Sequence, residues 1–455
     1  MQTRLGLTGS QYATLRQHLF PGDGLEAVAL LLCGRGRGAE REQLLGRRVV
    51  LIPHDRSSCR LPDKVEWSVE EFLLPLVEEM ERDDLGVVVV HSHPKGGRFF
   101  SRADDQGDRS LFPSVHSWFD QPGAHGAAVM LPDGDVIARY VEPDGSFRPV
   151  DVVAVAGDDL KFFRPARTDV VPEHARRLVQ TFGEGTYQLL KSLKVAVVGC
   201  SGTGSIMVEL LYRNCIGHLV LVDDDRVEEK NLNRIINSKA RHAAAETFKV
   251  HALAEAIREA GLGTQVTAIP MRIYDAAAVR AVAECDVIIG CMDSVEGRYI
   301  LNSLASAYCL PYFDTGVEIE PDGRGGIDQA VADAHYIQPE GSSLLSRGVC
   351  TPEALAAESQ RRLNPAFYEQ QRQAGYLAAV LEDRPAVMPL NMVASNGVMI
   401  DLLARIHGFR LDANSEFSRQ RWSLTHGYYE KGGDGTACTV MSNFVGIGDR
   451  WSPSC

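Results

Sequence analysis

Residues 193–205 read LKVAVVGCSGTGS. Val195 to Val198 form a short apolar run of the composition of a buried strand, and Gly199, Gly202 and Gly204 follow at once as a turn into the next segment. Such a turn lets backbone N–H groups approach a polyphosphate at a helix amino terminus. Further runs of the same kind, GHLVLVDDD at 217–225, TQVTAIP at 264–270, CDVIIGCMDS at 285–294 and LPYFDTG at 310–316, are separated by helix-length segments. That alternation predicts a Rossmann-like, mostly parallel, doubly wound sheet. The turn by itself fits nicotinamide and flavin dehydrogenases equally, with Asp223 at the end of the second strand holding a ribose hydroxyl in either case.

The whole chain, at 455 residues, is too long for one core and predicts two domains. With 45% hydrophobic and 24% charged residues and no apolar run of the ~18 residues that a membrane span needs, a globular protein with no membrane segment is expected. The opening MQTRLGLTGSQY has no apolar run after its Arg, which favours the cytoplasm. A net charge of −13 without any basic run argues against nucleic acid as a partner. The ten cysteines are scattered, no C-x-x-C pair occurs, and Cys200, Cys285 and Cys291 lie in or beside apolar runs where a reduced thiol packs as a small hydrophobe.

The first part reads as a mixed α/β domain over 1–155. GLEAVALLLC at 24–33 and RRVVLIP at 47–53 predict strands, and Ser68 with Glu71 predicts a capping box for one amphipathic helix through Met80, kinked at Pro75. LGVVVV at 85–90 is a buried strand that delivers His91 and His93 at its carboxyl end, and a hairpin is expected around Pro132-Asp133-Gly134. Charge and proline between 150 and 172 suggest a linker with a lead-in helix at 156–180, ahead of the nucleotide-type domain at 181–410. An extension at 411–455, with Trp422, Tyr428 and Tyr429, carries no readable signal.

His91 and His93, two apart on a strand end, share one face and can grip one metal, with Asp104 available as an oxygen ligand. Ser101 and Asp104 also read as a plain S-x-x-D helix cap. The string HSHPKGGRFFSRADD resembles the JAMM motif of MPN-type metallopeptidases, with His91, His93, Pro94, Ser101 and Asp104 in the family's places and Glu26 supplying its glutamate on an early strand. The resemblance covers residues 10–150 and implies Zn²⁺ on His91, His93 and Asp104 with one position open to water. It implies further that Glu26 handles the water's proton, that Ser101 donates to a tetrahedral oxyanion, and that cleavage falls at a peptide or isopeptide bond after the carboxyl terminus of a ubiquitin-like protein.

In the second domain VDDDRVEEKNLNR resembles the adenylation domain of ubiquitin-activating enzymes and their ThiF and MoeB relatives, and dehydrogenases lack such a block. The likeness runs from 174 to 408 and includes FGEGTYQLLKSLKVAVVG and MPLNMVASNGVMIDLLARI. It implies ATP held by the glycine turn, Asp223, Asp225, Asn231, Arg234 and Lys249, Mg²⁺ on Asp293 with Arg298 following, and Arg177, or alternatively Arg176, reaching the ATP of a partner subunit in a homodimer. Ser201 stands where many members have glycine, and the structural Cys-x-x-Cys pairs of many relatives are missing.

The resemblance therefore implies adenylation of the terminal glycine of a ubiquitin-like protein, coupled to peptidase cleavage at the same terminus, with a conjugating enzyme as a possible further partner. Activation of a sulfur-carrier protein for small-molecule biosynthesis, and a first domain that only docks partners, stay open beside it. Cys350 in LLSRGVCTPEALAAE stands where relatives carry a catalytic or zinc-binding cysteine, and the helix opened by Thr351-Pro352 is expected to lower its thiol pKa; as an alternative it is an unreactive loop cysteine. Cys438 and Cys455 are the next cysteines to consider.

Overall fold

Two large sheets organise the chain, one of nine strands and one of eight, in a computed structural model that describes residues 1–120, 123–166, 168–373 and 387–452. One unit takes Met1–Ala166, the short stretch Ser306–Cys309 and the residues from Asn443 onward, and the other holds the remainder.

In the first unit, β1 (Gln2–Thr8) leads into α1 (Gly9–Leu19), whose start is fixed by a reciprocal Thr8–Gln11 capping box. A hairpin of β2 (Val28–Arg37) and β3 (Arg41–Leu51), a small hairpin of β4 (Cys59–Leu61) and β5 (Lys64–Glu66), and two short helices, α2 (Val69–Phe72) and α3 (Val77–Arg82), precede β6 (Gly86–Ser92) and α4 (Arg102–Ser117). The remaining strands are β7 (Gly126–Met130), β8 (Val136–Val141), β9 (Phe147–Pro149), β10 (Val152–Ala156) and β11 (Leu160–Phe163). Their order across the sheet is β11-β10-β1-β3-β2-β6-β7-β8-β9, with β6 antiparallel to β2 and parallel to β7.

Strand periodicity divides the core in two. Ala29 and Leu31 of β2 and Val88 and Val90 of β6 face α1, where Leu15 and Leu19 cover them; Leu30, Leu32, Val87 and Val89 face the other layer, with Phe112 and Val115 of α4. Covered on both faces, β6 is buried along its whole length.

Three sequence expectations are corrected. Pro75 does not kink one helix but splits it, leaving a 3₁₀ turn at Leu74–Leu76 between α2 and α3, because proline cannot donate in a helix interior. The linker begins later than 156, since VVAVA is an apolar run that pairs parallel with β1 and Leu160–Phe163 returns antiparallel to it. Glu26 precedes β2 instead of lying within it; its N–H donates to the Leu61 carbonyl at 2.9 Å.

In the second unit α5 (Arg176–Ser192), bent at Gly183, runs into β12 (Lys194–Val198) and α6 (Gly202–Arg213). Then follow β13 (His218–Val222), α7 (Ala240–Ala244), α8 (Lys249–Ala260), β14 (Gln265–Ile269), α9 (Ala276–Ala283), β15 (Val287–Gly290) and α10 (Val295–Ala307). The order β14-β13-β12-β15-β16 is parallel throughout, β16 being Tyr312–Pro321. From β16 the sheet turns antiparallel through β17 (Ile327–Ile337), and α11 (Pro352–Leu363), α12 (Pro365–Gln373) and α13 (Met388–Ile406) come before the last pair, β18 (Arg419–Ser423) and β19 (Tyr428–Gly432). The sequence left those two strands unread because their side chains are mostly polar or charged. Among the described residues no helix is long and apolar enough to cross a membrane.

Phe112 is completely buried where α4 meets the sheet. Phe112→Ala should cost about 3–5 kcal/mol, read as an earlier unfolding transition of the first unit in urea; a shift below about 1 kcal/mol would show that α4 is not anchored there.

Candidate active sites

Strand β6 ends at Ser92, so His91 and His93 emerge at its carboxyl end, and α4 begins opposite them with Asp104 in its first turn. Ser101 caps α4: its Oγ accepts from the Asp104 N–H at 3.2 Å, and its own N–H donates to Asp104 Oδ2 at 2.6 Å. The two sequence readings of this pair hold together, since the helix cap is what presents the carboxylate.

His91 Nε2 and His93 Nε2 are 3.2 Å apart, and Asp104 oxygens lie 3.3 Å from the first and 3.4 Å from the second. Ligand atoms at about 2.0–2.1 Å from a tetrahedral zinc are separated by roughly 3.3 Å, so the three groups stand at the spacing of three ligands around one ion. His93 Nδ1–H donates to the Gly97 carbonyl at 2.9 Å, which leaves Nε2 as the unprotonated nitrogen of the neutral ring. Burial would raise the Asp104 pKa, but His91 and His93 in their protonated, cationic forms donate to it and, with the Ser101 N–H, hold the carboxyl well below the usual range. Glu26, only 4% exposed, shows the opposite balance: burial raises its pKa against the pull of both histidines. The set fits zinc, with Glu26 beside it.

In the second unit the glycine turn and the strand ends enclose a cleft of about 850 Å³ lined by Gly199, Gly202, Asp223, Asp225, Asn231, Arg234, Lys249 and Asp293. Gly204 stands behind the lining, where a Cβ would lie 1.8 Å from the Gly199 carbonyl oxygen; at Gly202 it would lie 2.2 Å from Asn391 Nδ2. Asp223 accepts from the N–H groups of Cys200 and Asp225 at 2.6 and 2.8 Å, and burial raises its pKa. Lys249 is buried yet held protonated, because Asp223 and Asp225 outweigh the cost of burial, and its Nζ donates to Asp225 Oδ2 at 2.6 Å. The Asn231 side chain accepts from the Glu228 N–H at 3.0 Å, and Arg234 donates to the Lys230 carbonyl at 2.7 Å. Asp293 is exposed on the cleft lining, and a carboxylate beside substrate phosphates is the kind of oxygen ligand Mg²⁺ takes.

Arg177 is not brought to this cleft; it is exposed on α5 and donates to Gln180 at 3.1 Å, while Arg176 pairs with Glu173. Tyr274, Glu296, Glu358, Arg361 and Arg362 also line the cleft and were missed, since isolated residues on a loop, on α10 and on α11 form no motif. A second cleft, of about 840 Å³ across the faces of β16–β19, shares Asp293, Arg298, Gly316 and Val317 with the first.

Cys350 corrects its expectation. Thr351 does cap α11, accepting from the Ala354 N–H at 3.2 Å, but Cys350 is 1% exposed, its thiol faces the Val295 carbonyl, and burial pushes the pKa up to about 12. Desolvation of a thiolate outweighs the pull of a helix terminus that the thiol does not face. Cys438 is buried too, and Cys455 lies outside the described residues.

These are two candidate sites, one at a strand end of a mixed α/β domain and one at the glycine turn of a doubly wound, Rossmann-like domain. Residues 10–141 match the family model for prokaryotic homologs of the JAB domain, and residues 174–331 match that of the ThiF family. The chain therefore joins a JAB-like domain to a ThiF-family domain. It is similar to the adenylyltransferase and sulfurtransferase UBA4 of Meyerozyma guilliermondii, 28% identical over 34% of this chain and 36% of that protein. Similarity to the adenylyltransferase and sulfurtransferase MOCS3 of Drosophila persimilis is 30% over 42% and 44% of the two chains, and to the ubiquitin-like modifier-activating enzyme 5 of Culex quinquefasciatus 26% over 38% and 43%. The chain thus spans less than half the length of these relatives.

With its pKa at about 12, Cys350 should escape iodoacetamide near neutral pH in the native protein and be labelled only after denaturation, with native labelling rising as pH climbs and thiolate appears. Peptide mass spectrometry reads this directly, and rapid native labelling would show an accessible thiol.

Proposed function

We propose that this chain activates the carboxyl terminus of a ubiquitin-like or sulfur-carrier protein by ATP-dependent adenylation and that its first domain is a zinc peptidase acting at such a terminus. The observation that carries the first half is the single cleft joining the glycine turn, Asp223, Asn231, Arg234, Lys249 and Asp293. The names of the relatives, adenylyltransferase and ubiquitin-like modifier-activating enzyme, support the same reading.

In the proposed step a terminal carboxylate oxygen bonds to the α-phosphorus of ATP while the bond from that phosphorus to the bridging oxygen breaks, releasing pyrophosphate and leaving an acyl adenylate. The carboxylate is ionised at neutral pH, so no general base is required. Lys249 and Arg234 would offset charge that grows on the phosphate oxygens, and Asp293 would hold Mg²⁺, which supplies further positive charge to the polyphosphate. The cleft across β16–β19, opening onto Asp293, gives an extended terminus a way in. Arg177 would act on the cleft of a second copy in a homodimer.

In the first domain zinc on His91, His93 and Asp104 would supply an activated water. Glu26, its pKa raised by burial, suits taking a proton and returning it to a leaving amine. Ser101 Oγ accepts from the Asp104 N–H, so its hydroxyl proton stays available to an oxyanion. A domain that served only for docking would not require a buried glutamate beside three groups at ligand spacing. The ubiquitin-like and sulfur-carrier readings share the adenylation step and separate at its product, a protein conjugate or a thiocarboxylate.

Asp293→Ala and Arg234→Ala should each lower carrier-dependent ATP–pyrophosphate exchange by about a hundredfold; unchanged exchange in both, or tight NAD binding in place of ATP, would overturn adenylation. Metal analysis should find one zinc in the first domain, lost when His91 and His93 are both alanine. Glu26→Gln should keep that zinc and lose cleavage of a peptide extension on a ubiquitin-like carrier, and cleavage that persists would remove Glu26 from the role.

A further inference from the structure

Segment 350–362 docks on the first turn of α10, the turn that follows Asp293. The Cys350 thiol donates to the Val295 carbonyl at 3.6 Å, and Glu358 Oε2 accepts from the Glu296 N–H at 2.8 Å. Arg362 donates from Nη2 and Nε to the two Glu296 carboxylate oxygens at 2.7 and 3.1 Å, and its guanidinium lies 4.8 Å from the centre of the Tyr274 ring. Glu358 and Arg362 stand four apart on α11, so one helix face delivers both. Glu296 is thereby held twice, by its backbone and by its carboxylate.

The stretch from Cys291 to Ser294 links β15 to α10, and two internal bonds curl it onto the helix: Arg298 Nε donates to the Met292 carbonyl at 2.9 Å, and Ser294 Oγ accepts from the Gly297 N–H at 3.2 Å. Asp293 sits at the crest, exposed, so its carboxylate goes where the turn goes. Mg²⁺ demands oxygen ligands at about 2.0–2.1 Å in near-octahedral geometry, so a small shift of that turn weakens a cation far more than it weakens a nucleotide held by many groups.

We propose that Glu358 and Arg362 are positioning residues for Asp293: by clamping the first turn of α10 they fix the carboxylate that meets a divalent cation beside the nucleotide. This inference rests on the nucleotide reading of the cleft. It also gives Cys350 a packing role in the same clamp.

The test uses the full chain, Mn²⁺ as probe and a non-hydrolysable ATP analogue, with free Mn²⁺ read by electron paramagnetic resonance and analogue binding read separately in EDTA. Arg362→Ala and Glu358→Ala should weaken Mn²⁺ by about tenfold or more, the scale of outer-shell losses at metal sites, and by a clearly larger factor than they change analogue binding in EDTA; an equal loss in both would make them plain cleft residues and overturn the proposal. Arg362→Lys should fall between, because an ammonium keeps the charge but loses the planar fork. Mn²⁺ affinity at wild-type level in both alanine variants overturns the proposal, provided that Asp293→Ala weakens it. If Asp293→Ala has no effect, or the wild type binds no Mn²⁺ with the analogue, the nucleotide reading falls and this inference with it. Should Arg362→Ala not fold, Glu358→Gln decides: Mn²⁺ weakened by a larger factor than the analogue in EDTA supports the clamp, and unchanged Mn²⁺, or an equal loss of both, refutes it.

Discussion

Strands β6 and β12 are buried nearly end to end, and a strand covered on both faces must satisfy every backbone polar group within its ladder. Chemistry can then begin only where the ladder stops. In the first unit that point releases His91 and His93; in the second it releases the turn at Gly199, where a positive φ of 88° and the nearby Cys291 carbonyl leave no room for a side chain. Both sites are consequences of where a central strand ends.

Helix starts supply the other half of each site. The Ser101–Asp104 cap at α4 turns a carboxylate toward two imidazoles, and the same exchange that satisfies the helix's first N–H groups fixes the direction of that carboxylate. Behind it, Arg139 pairs with Asp105 and with the buried Asp108 and lies 3.9 Å from the centre of the Phe100 ring, tying α4 to β8. In the second unit α6 starts directly from the glycine turn and α8 starts with Lys249, so the cleft gathers helix amino termini and a buried ammonium. Electrostatics favourable to an anion are built from backbone direction as much as from charged side chains.

The opposite shifts of Asp104 and Glu26 divide two carboxyl groups by environment. Both are largely buried, but Asp104 receives hydrogen bonds and Glu26 receives mainly desolvation, so one is a committed anion and the other is poised nearer to protonation. Cys350 shows the same rule in reverse. A helix terminus next in sequence does not lower a thiol's pKa when the sulfur itself is packed against a carbonyl away from water.

The sequence alone determined the α/β class, the central strands and the residue types at their carboxyl ends, because a branched apolar run followed by glycines or histidines has a local physical meaning. Position in the fold was beyond it wherever contacts join distant segments. That Glu358 and Arg362 meet Glu296 some sixty residues earlier, that Lys249 pairs with Asp225, that Cys350 is sealed, and that the polar strands β18 and β19 extend the second sheet were decided by tertiary packing. Burial and ion pairing are properties of neighbours in space, and a periodicity of two or of 3.6 residues reports only which way a side chain faces along its own element.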